Sequence, residues 1–195
     1  TFKRETRTNK KYFKYFREII MIILYTQNLA KQIGLGNRKI DLPEFANPDA
    51  LWHGNVFLHK RKKVLHLCHE ISRYTIFIYD LKKKDFENLP AIINEHLNYH
   101  IIKDKIPLKE AKYLLAISEN FSYFKKTNRK VLGTMNNMKM IFETLCQTEH
   151  TIDDKLFSHE INHMLFQIEK EYIYPSEVFK EFFDEAATAR QVYEE

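Results

Sequence analysis

Two histidines four residues apart, with a glutamate beside the first, are the residues in this chain best suited to chemistry: "HEINH", His159 to His163. On a helix, one turn brings both imidazoles to one face, where they can share a zinc ion. Glu160 would then act as general base toward metal-bound water. A third ligand would have to come from elsewhere. Glu181, on the next expected helix with Glu177 and Glu185 as neighbours, is a candidate carboxylate. Together these residues would make a zinc-dependent hydrolase. The helical wheel argues the other way. Phe157, Ile161, Met164, Leu165 and Ile168 form the apolar stripe, and His159 and His163 project almost opposite, toward solvent. With 9 His in the chain, such a pattern also arises by coincidence. The preferred expectation is a solvated helix face and no cofactor, with zinc as the alternative.

A second set of polar residues suggests binding rather than catalysis. Trp52, His53, Asn55, Asn128, Arg129 and Asn136 combine aromatic surface with hydrogen-bond donors. Arg61 and Lys62 add charge in a basic turn. Such groups can hold a phosphate or a base by stacking and charge-assisted bonds. The competing reading is structural: Asn128 and Asn136 as caps, Trp52 as core, Arg129 in an ion pair with the acidic tail. His66, Cys68 and His69 lie on an expected strand, where alternation puts His69 on the other face from the first two. That argues against one shared metal. "GLG" at Gly34 to Gly36 lacks the lysine and spacing of a phosphate loop.

The elements that must position these groups can be read from periodicity. "MIILYT" from Met21 suggests a short strand, and Leu29 to Ile33 a short helix. "GLGNRKIDLPEFANPD" suggests a loop. From Trp52 to Tyr79, alternating apolar and polar residues broken by a polar turn at Lys60 to Lys63 predict a three-strand antiparallel meander. Helical spacing follows over Asp85 to His100, from Pro107 to about Ile117, over Leu132 to Gln147, and over Ile152 to Ile173. "FSYFKKTNRK" suggests one more strand, and a last helix runs through Phe179. Residues 10–24 read as a basic amphipathic helix. Strands early and helices late predict an α+β fold, a small antiparallel sheet packed by helices. Residues 1–20 form a basic extension, and 21–195 a single domain with an acidic helical C-terminal part.

The composition is that of a globular chain: 195 residues, 44% hydrophobic and 29% charged, with 4 Gly and 5 Pro. The longest apolar run, "IIMIIL", is too short to span a bilayer, which needs about 20 residues. Two cysteines with no Cys-x-x-Cys pair suit a reducing compartment, so a cytoplasmic location is expected. The net charge of +5 is uneven. Residues 143–195 carry 13 acids against 4 bases, and the rest of the chain is basic. Basic runs at Lys60 to Lys63, Lys82 to Lys84 and Lys125 to Lys130 point to an anionic partner, nucleic acid or an acidic protein, if they share one face.

Several pieces recur in an order that resembles a family of small bacterial proteins, the domain of unknown function numbered 6933. They are "MIILYTQNLAKQI", then Trp52, His53 and Asn55, then Arg61, Lys62 and "VLHL", Arg73 and Tyr74, "LKKKDFENL", and finally Asn128, Arg129, Val131, Leu132, Gly133, Met135 and Asn136. The resemblance covers about residues 21–179. It implies no activity. Its pattern has Ile-Asn where this chain has Ile161 and Asn162, and it contains no H-E-x-x-H. The functional expectation is thus a non-enzymatic cytoplasmic protein that binds an anionic partner. The alternatives are a zinc hydrolase and a protein-interaction module of antitoxin-like or effector type.

Overall fold

A computed structural model describes residues 21–36, 50–119, 121–126, 128–168 and 170–181. Most of the expected amphipathic helix over 10–24, residues 10–20, lies outside this range. Its last residues, 21–24, are strand rather than helix. The loop expected over 34–49 also falls largely outside.

β1 (Met21–Tyr25) leads into a short helix α1 (Gln27–Gln32), capped by Thr26, whose hydroxyl accepts from the Leu29 N–H. The meander is as expected: β2 (Leu51–His59), β3 (Lys62–His69) and β4 (Thr75–Leu81), paired antiparallel. A 3-10 turn (Lys83–Asn88) opens α2 (Leu89–Lys103), and α3 (Leu108–Ile117) follows Pro107. β5 (Phe121–Phe124) precedes the long α4 (Arg129–Thr148), whose first turn is capped by Asn128.

The five strands form one sheet in the order β4-β3-β2-β1-β5. It is mixed rather than purely antiparallel, because β1 runs parallel to both β2 and β5. α1 lies in the connection from β1 to β2, and α2 and α3 lie between β4 and β5, so both parallel pairings have the longer crossovers they require. One face carries Ile23, Tyr25, Trp52, Leu65, Leu67, Ile76 and Ile78, buried against α1, α2 and Phe179. On it Gly54 lets α1 approach: a Cβ there would lie 2.5 Å from Leu29 Cδ2. The other face carries Phe57, Val64 and Phe77 under Met138, Phe142 and Cys146 of α4. No helix among the described residues is long and apolar enough to cross a membrane.

The C-terminal part departs from expectation. The single helix over Ile152 to Ile173 is instead α5 (Asp154–Asn162) followed by a small hairpin, β6 (Phe166–Ile168) and β7 (Glu171–Ile173). After His163 the apolar period changes from helical to two. Phe157 and Ile161 are core, but Leu165 is 52% exposed, so the stripe drawn through it does not continue. The chain is helical again over 175–181.

β4 is an edge strand, and α5 lies along that edge. The Asn162 side chain accepts from Thr75 N–H (2.7 Å) and donates to Thr75 C=O (2.8 Å). Ser158 Oγ accepts from Phe77 N–H (2.9 Å), and Asp154 Oδ2 from Tyr79 N–H (2.6 Å). The spacing explains the match. Four helical residues rise about 6 Å, close to the advance of about 6.6 Å over two strand residues. Side chains at every fourth helix position thus meet every second strand residue, and the edge is closed to pairing with another chain.

Candidate metal centre

Docking on the strand edge fixes where the HEINH histidines point. Asn162 and Ser158 face β4, so His159 and His163, one position further round, face the C-terminus of α2. Asp104 stands there as the cap residue after Lys103. Its side chain is 1% exposed. The Tyr74 hydroxyl donates to Asp104 Oδ2, and His159 Nδ1 lies 2.6 Å from Oδ1. His163 Nε2 is 3.8 Å from the same oxygen. The two imidazole centroids are 4.2 Å apart. One ligand atom from each of Asp104, His159 and His163 lies within 4.8 Å of the others.

The expectation that both rings project into solvent is therefore corrected: His159 is only 19% exposed and bonded to a buried acid, while His163 is 42% exposed. A helical wheel distinguishes core from solvent, but here the wheel has a third environment, the strand edge, and the histidines sit beside it. Glu160 is exposed, and the cluster's carboxylate is Asp104 rather than Glu181, which is also exposed.

The electrostatics of Asp104 favour a cation. A helix C-terminus carries a partial negative charge, so a carboxylate there is unfavourably placed. Burial adds a further cost unless the charge is paired. Among the described residues, the Tyr74 O–H and the His159 ring are the hydrogen-bond partners of its side chain. Burial, and then the Asp104 charge, push the Tyr74 phenol well above its usual range, so it remains a donor. His163 Nδ1–H donates to the His159 carbonyl (2.8 Å), which leaves Nε2 as the ring atom on the Asp104 side. This is the usual way an imidazole is oriented for a metal. Ligand atoms around tetrahedral zinc, with bonds of 2.0–2.1 Å, are about 3.3 Å apart. The observed separations of 2.6 and 3.8 Å bracket that value.

The second expected set is divided by the sheet. Trp52 is fully buried on the α1 and α2 face, where it packs against Phe179, so it offers no stacking surface. His53 lies on the opposite face. Its Nε2 bonds Glu70, whose other oxygen accepts from Asn128 Nδ2 (2.8 Å). Burial raises the Glu70 carboxyl, but the bonds from His53 and Asn128 outweigh it and hold it below its ordinary value. Asn55 accepts from the Thr26 hydroxyl (2.7 Å). Arg129 and Asn136 are exposed along α4. Arg61 and Lys62 sit at the β2–β3 turn, toward the other end of α4, where Lys60 Nζ bonds the Cys146 carbonyl. His53, Asn128 and Glu70 thus meet, and the remaining members do not join them.

His66 bonds Thr75 Oγ1 (2.6 Å) and stacks on Phe77, while His69 bonds Ser72 on the other face. They do not share a ligand site, as alternation required.

Residues 22–178 match the family model described as "Domain of unknown function (DUF6933)". The chain belongs to this family. The resemblance read from the Trp-His-x-Asn strand and the Asn-Arg-x-Val-Leu-Gly segment is thereby established over most of the chain. No curated protein and no solved structure matches it. Within this DUF6933 chain, Asn162 of HEINH closes the β4 edge, and His159 and His163 complete the cluster with Asp104. Sequence reasoning missed Asp104. A signal was present: His100 and Asp104 repeat the four-residue spacing of His159 and His163 at the end of an apolar helix.

Proposed function

We propose that this DUF6933 protein binds a divalent metal ion of the zinc class through Asp104, His159 and His163. The observation that carries this reading is the convergence of both HEINH rings on a buried carboxylate. Two imidazoles and one carboxylate are ligands that zinc accepts. The ion would bridge the C-terminus of α2 to the C-terminus of α5 and neutralise Asp104. Glu160, the residue a hydrolase would use as base, is exposed rather than enclosed with the cluster, so the role supported is binding rather than hydrolysis. Titration of zinc into metal-free protein, followed by calorimetry, tests it. One ion per chain, lost in Asp104→Ala and His163→Ala, is the expected result. No heat of binding in the wild-type protein would refute it.

An anionic partner remains a second reading, and one observation favours it. Lys63 pairs with Leu81, which brings the runs Lys60 to Lys63 and Lys82 to Lys84 to the same end of the sheet. Beside them a hollow of ≈470 Å³ is lined by Lys60, Lys62, Tyr79 and His150 together with the acids Asp80 and Glu149. The third run lies near the opposite end of α4, whose 20 residues span about 30 Å. Asp80 also pairs with Lys62 and Lys82. The partner would thus meet one end of the molecule. Charge reversal at Lys83 and Lys84 should abolish salt-sensitive binding to a polyanion such as heparin, whereas reversal at Lys125 and Lys126 should not. Equal effects of the two would overturn this reading. Two buried, unpaired cysteines support a cytoplasmic location.

A further inference from the structure

One residue next to the cluster has no account in the fold. His100, on the last turn of α2, is 1% exposed, and neither of its ring nitrogens has a hydrogen-bond partner among the described residues. A buried imidazole normally bonds at least one nitrogen, since an unsatisfied polar group costs about 1–3 kcal/mol. His100 stands one helical turn before Asp104, so both lie on the same side of α2. That side meets α5. The Tyr74 ring, whose hydroxyl bonds Asp104, packs edge-on against His100 at 5.8 Å between centroids.

Two helices therefore present the same pair spacing to each other: His100 and Asp104 from α2, His159 and His163 from α5. Both nitrogens of the His100 ring are uncommitted among the described residues. The three cluster atoms already lie within 4.8 Å of one another, and His100 is outside that set. A turn of its side chain is needed to join them, and among the described residues no hydrogen bond of its ring opposes that turn.

We infer that His100 is the fourth ligand of the metal site, which closes it as a His3Asp tetrahedron between α2 and α5. The inference rests on the metal reading proposed above and deepens it. Three protein ligands would leave a position for water and for chemistry, whereas four make a site that ties helices together. The unpartnered ring is then a ligand that turns onto the ion when it binds.

Cobalt(II), a spectroscopic stand-in for zinc, distinguishes these outcomes. Metal-free wild-type protein loaded with one equivalent should show the intense visible bands of a four-coordinate ion. Its proton NMR spectrum should contain paramagnetically shifted N–H signals from three ligating imidazoles. His100→Ala should weaken binding, measured by competition with a chromogenic chelator, by more than the 10–100-fold typical of losing an outer-sphere partner. Added imidazole should restore the bands. His96→Ala, one turn earlier on α2, should change affinity by less than about threefold. Two shifted imidazole signals in the wild-type protein, or unchanged affinity in His100→Ala, would overturn the fourth ligand while leaving the three-ligand site intact. Wild-type protein that binds no cobalt or zinc would remove both. The wild-type NMR count does not depend on the variant folding.

Discussion

Asp104 is the residue on which the metal reading turns. It is a buried acid at the negative end of a helix, a placement that costs free energy unless a positive charge is adjacent. Among the described residues its side chain is hydrogen-bonded by a phenol and an imidazole. Asp104→Asn keeps the shape and removes the charge. Without metal, the variant should melt within a few degrees of the wild type, because the lost charge was poorly placed. With zinc at 100 times its dissociation constant, the wild type should gain about 2.7 kcal/mol. For a chain of this size that corresponds to roughly 5–10 °C in Tm. The variant should gain none of it, and differential scanning calorimetry with and without zinc provides the comparison. His66 supplies a second expectation at this scale. Burial, assisted by the Lys139 charge, lowers it to about 3 in the folded protein, against 6.5 when exposed. His96 is lowered to about 4, again mainly by burial. Between those values and 6.5 the unfolded chain binds protons that the folded chain does not. Stability is therefore complete above pH 6.5 and falls as pH drops toward 4, by up to about 1.4 kcal/mol per pH unit for each group. Urea midpoints across that range should show the decline, and His66→Gln should flatten its slope.

At the level of elements, α5 does what a core helix does on one side and what an edge-pairing strand would do on another. Asn162→Ala removes both partners of Thr75, leaving a buried N–H and C=O unsatisfied, and should cost about 3 kcal/mol. The urea midpoint should fall with an unchanged slope. Asn162→Asp should cost a similar amount, because a carboxylate can accept from Thr75 N–H but cannot donate to its carbonyl. The limits of the sequence are visible here. The meander, the helix that became α4, the strand at Met21 and the split of His66 from His69 all follow from period and composition, because each depends on neighbours in sequence. The HEINH rings could be placed on one helix face by the same logic. Their surroundings could not. The strand edge that holds Asn162 is 87 residues away, and Asp104 is 55 residues from His159. Those contacts arise from topology, not from local period. The long helix over 152–173 failed for a different reason: apolar residues at 164, 165, 166 and 168 fit both periods, and the hairpin won.

For the whole molecule, the layout separates two chemistries. The β2–β3 turn and the end of β4 carry clustered lysines, and the far side of β4 carries the histidine and carboxylate cluster at the joint of α2 and α5. The sheet between them is closed on both faces by apolar packing and, at β4, by side chains rather than by another strand. An ion at the joint would tie α2, which covers one face of the sheet, to α5 at its edge. Binding energy at that point becomes folding energy for the whole domain. The most direct test is elemental analysis of the protein, purified without a metal-affinity tag and without chelators, alongside zinc calorimetry of the metal-free form. The account predicts one zinc-class ion per chain, released on acidification and abolished by Asp104→Ala. Protein that emerges free of metal and shows no heat on adding zinc would contradict it.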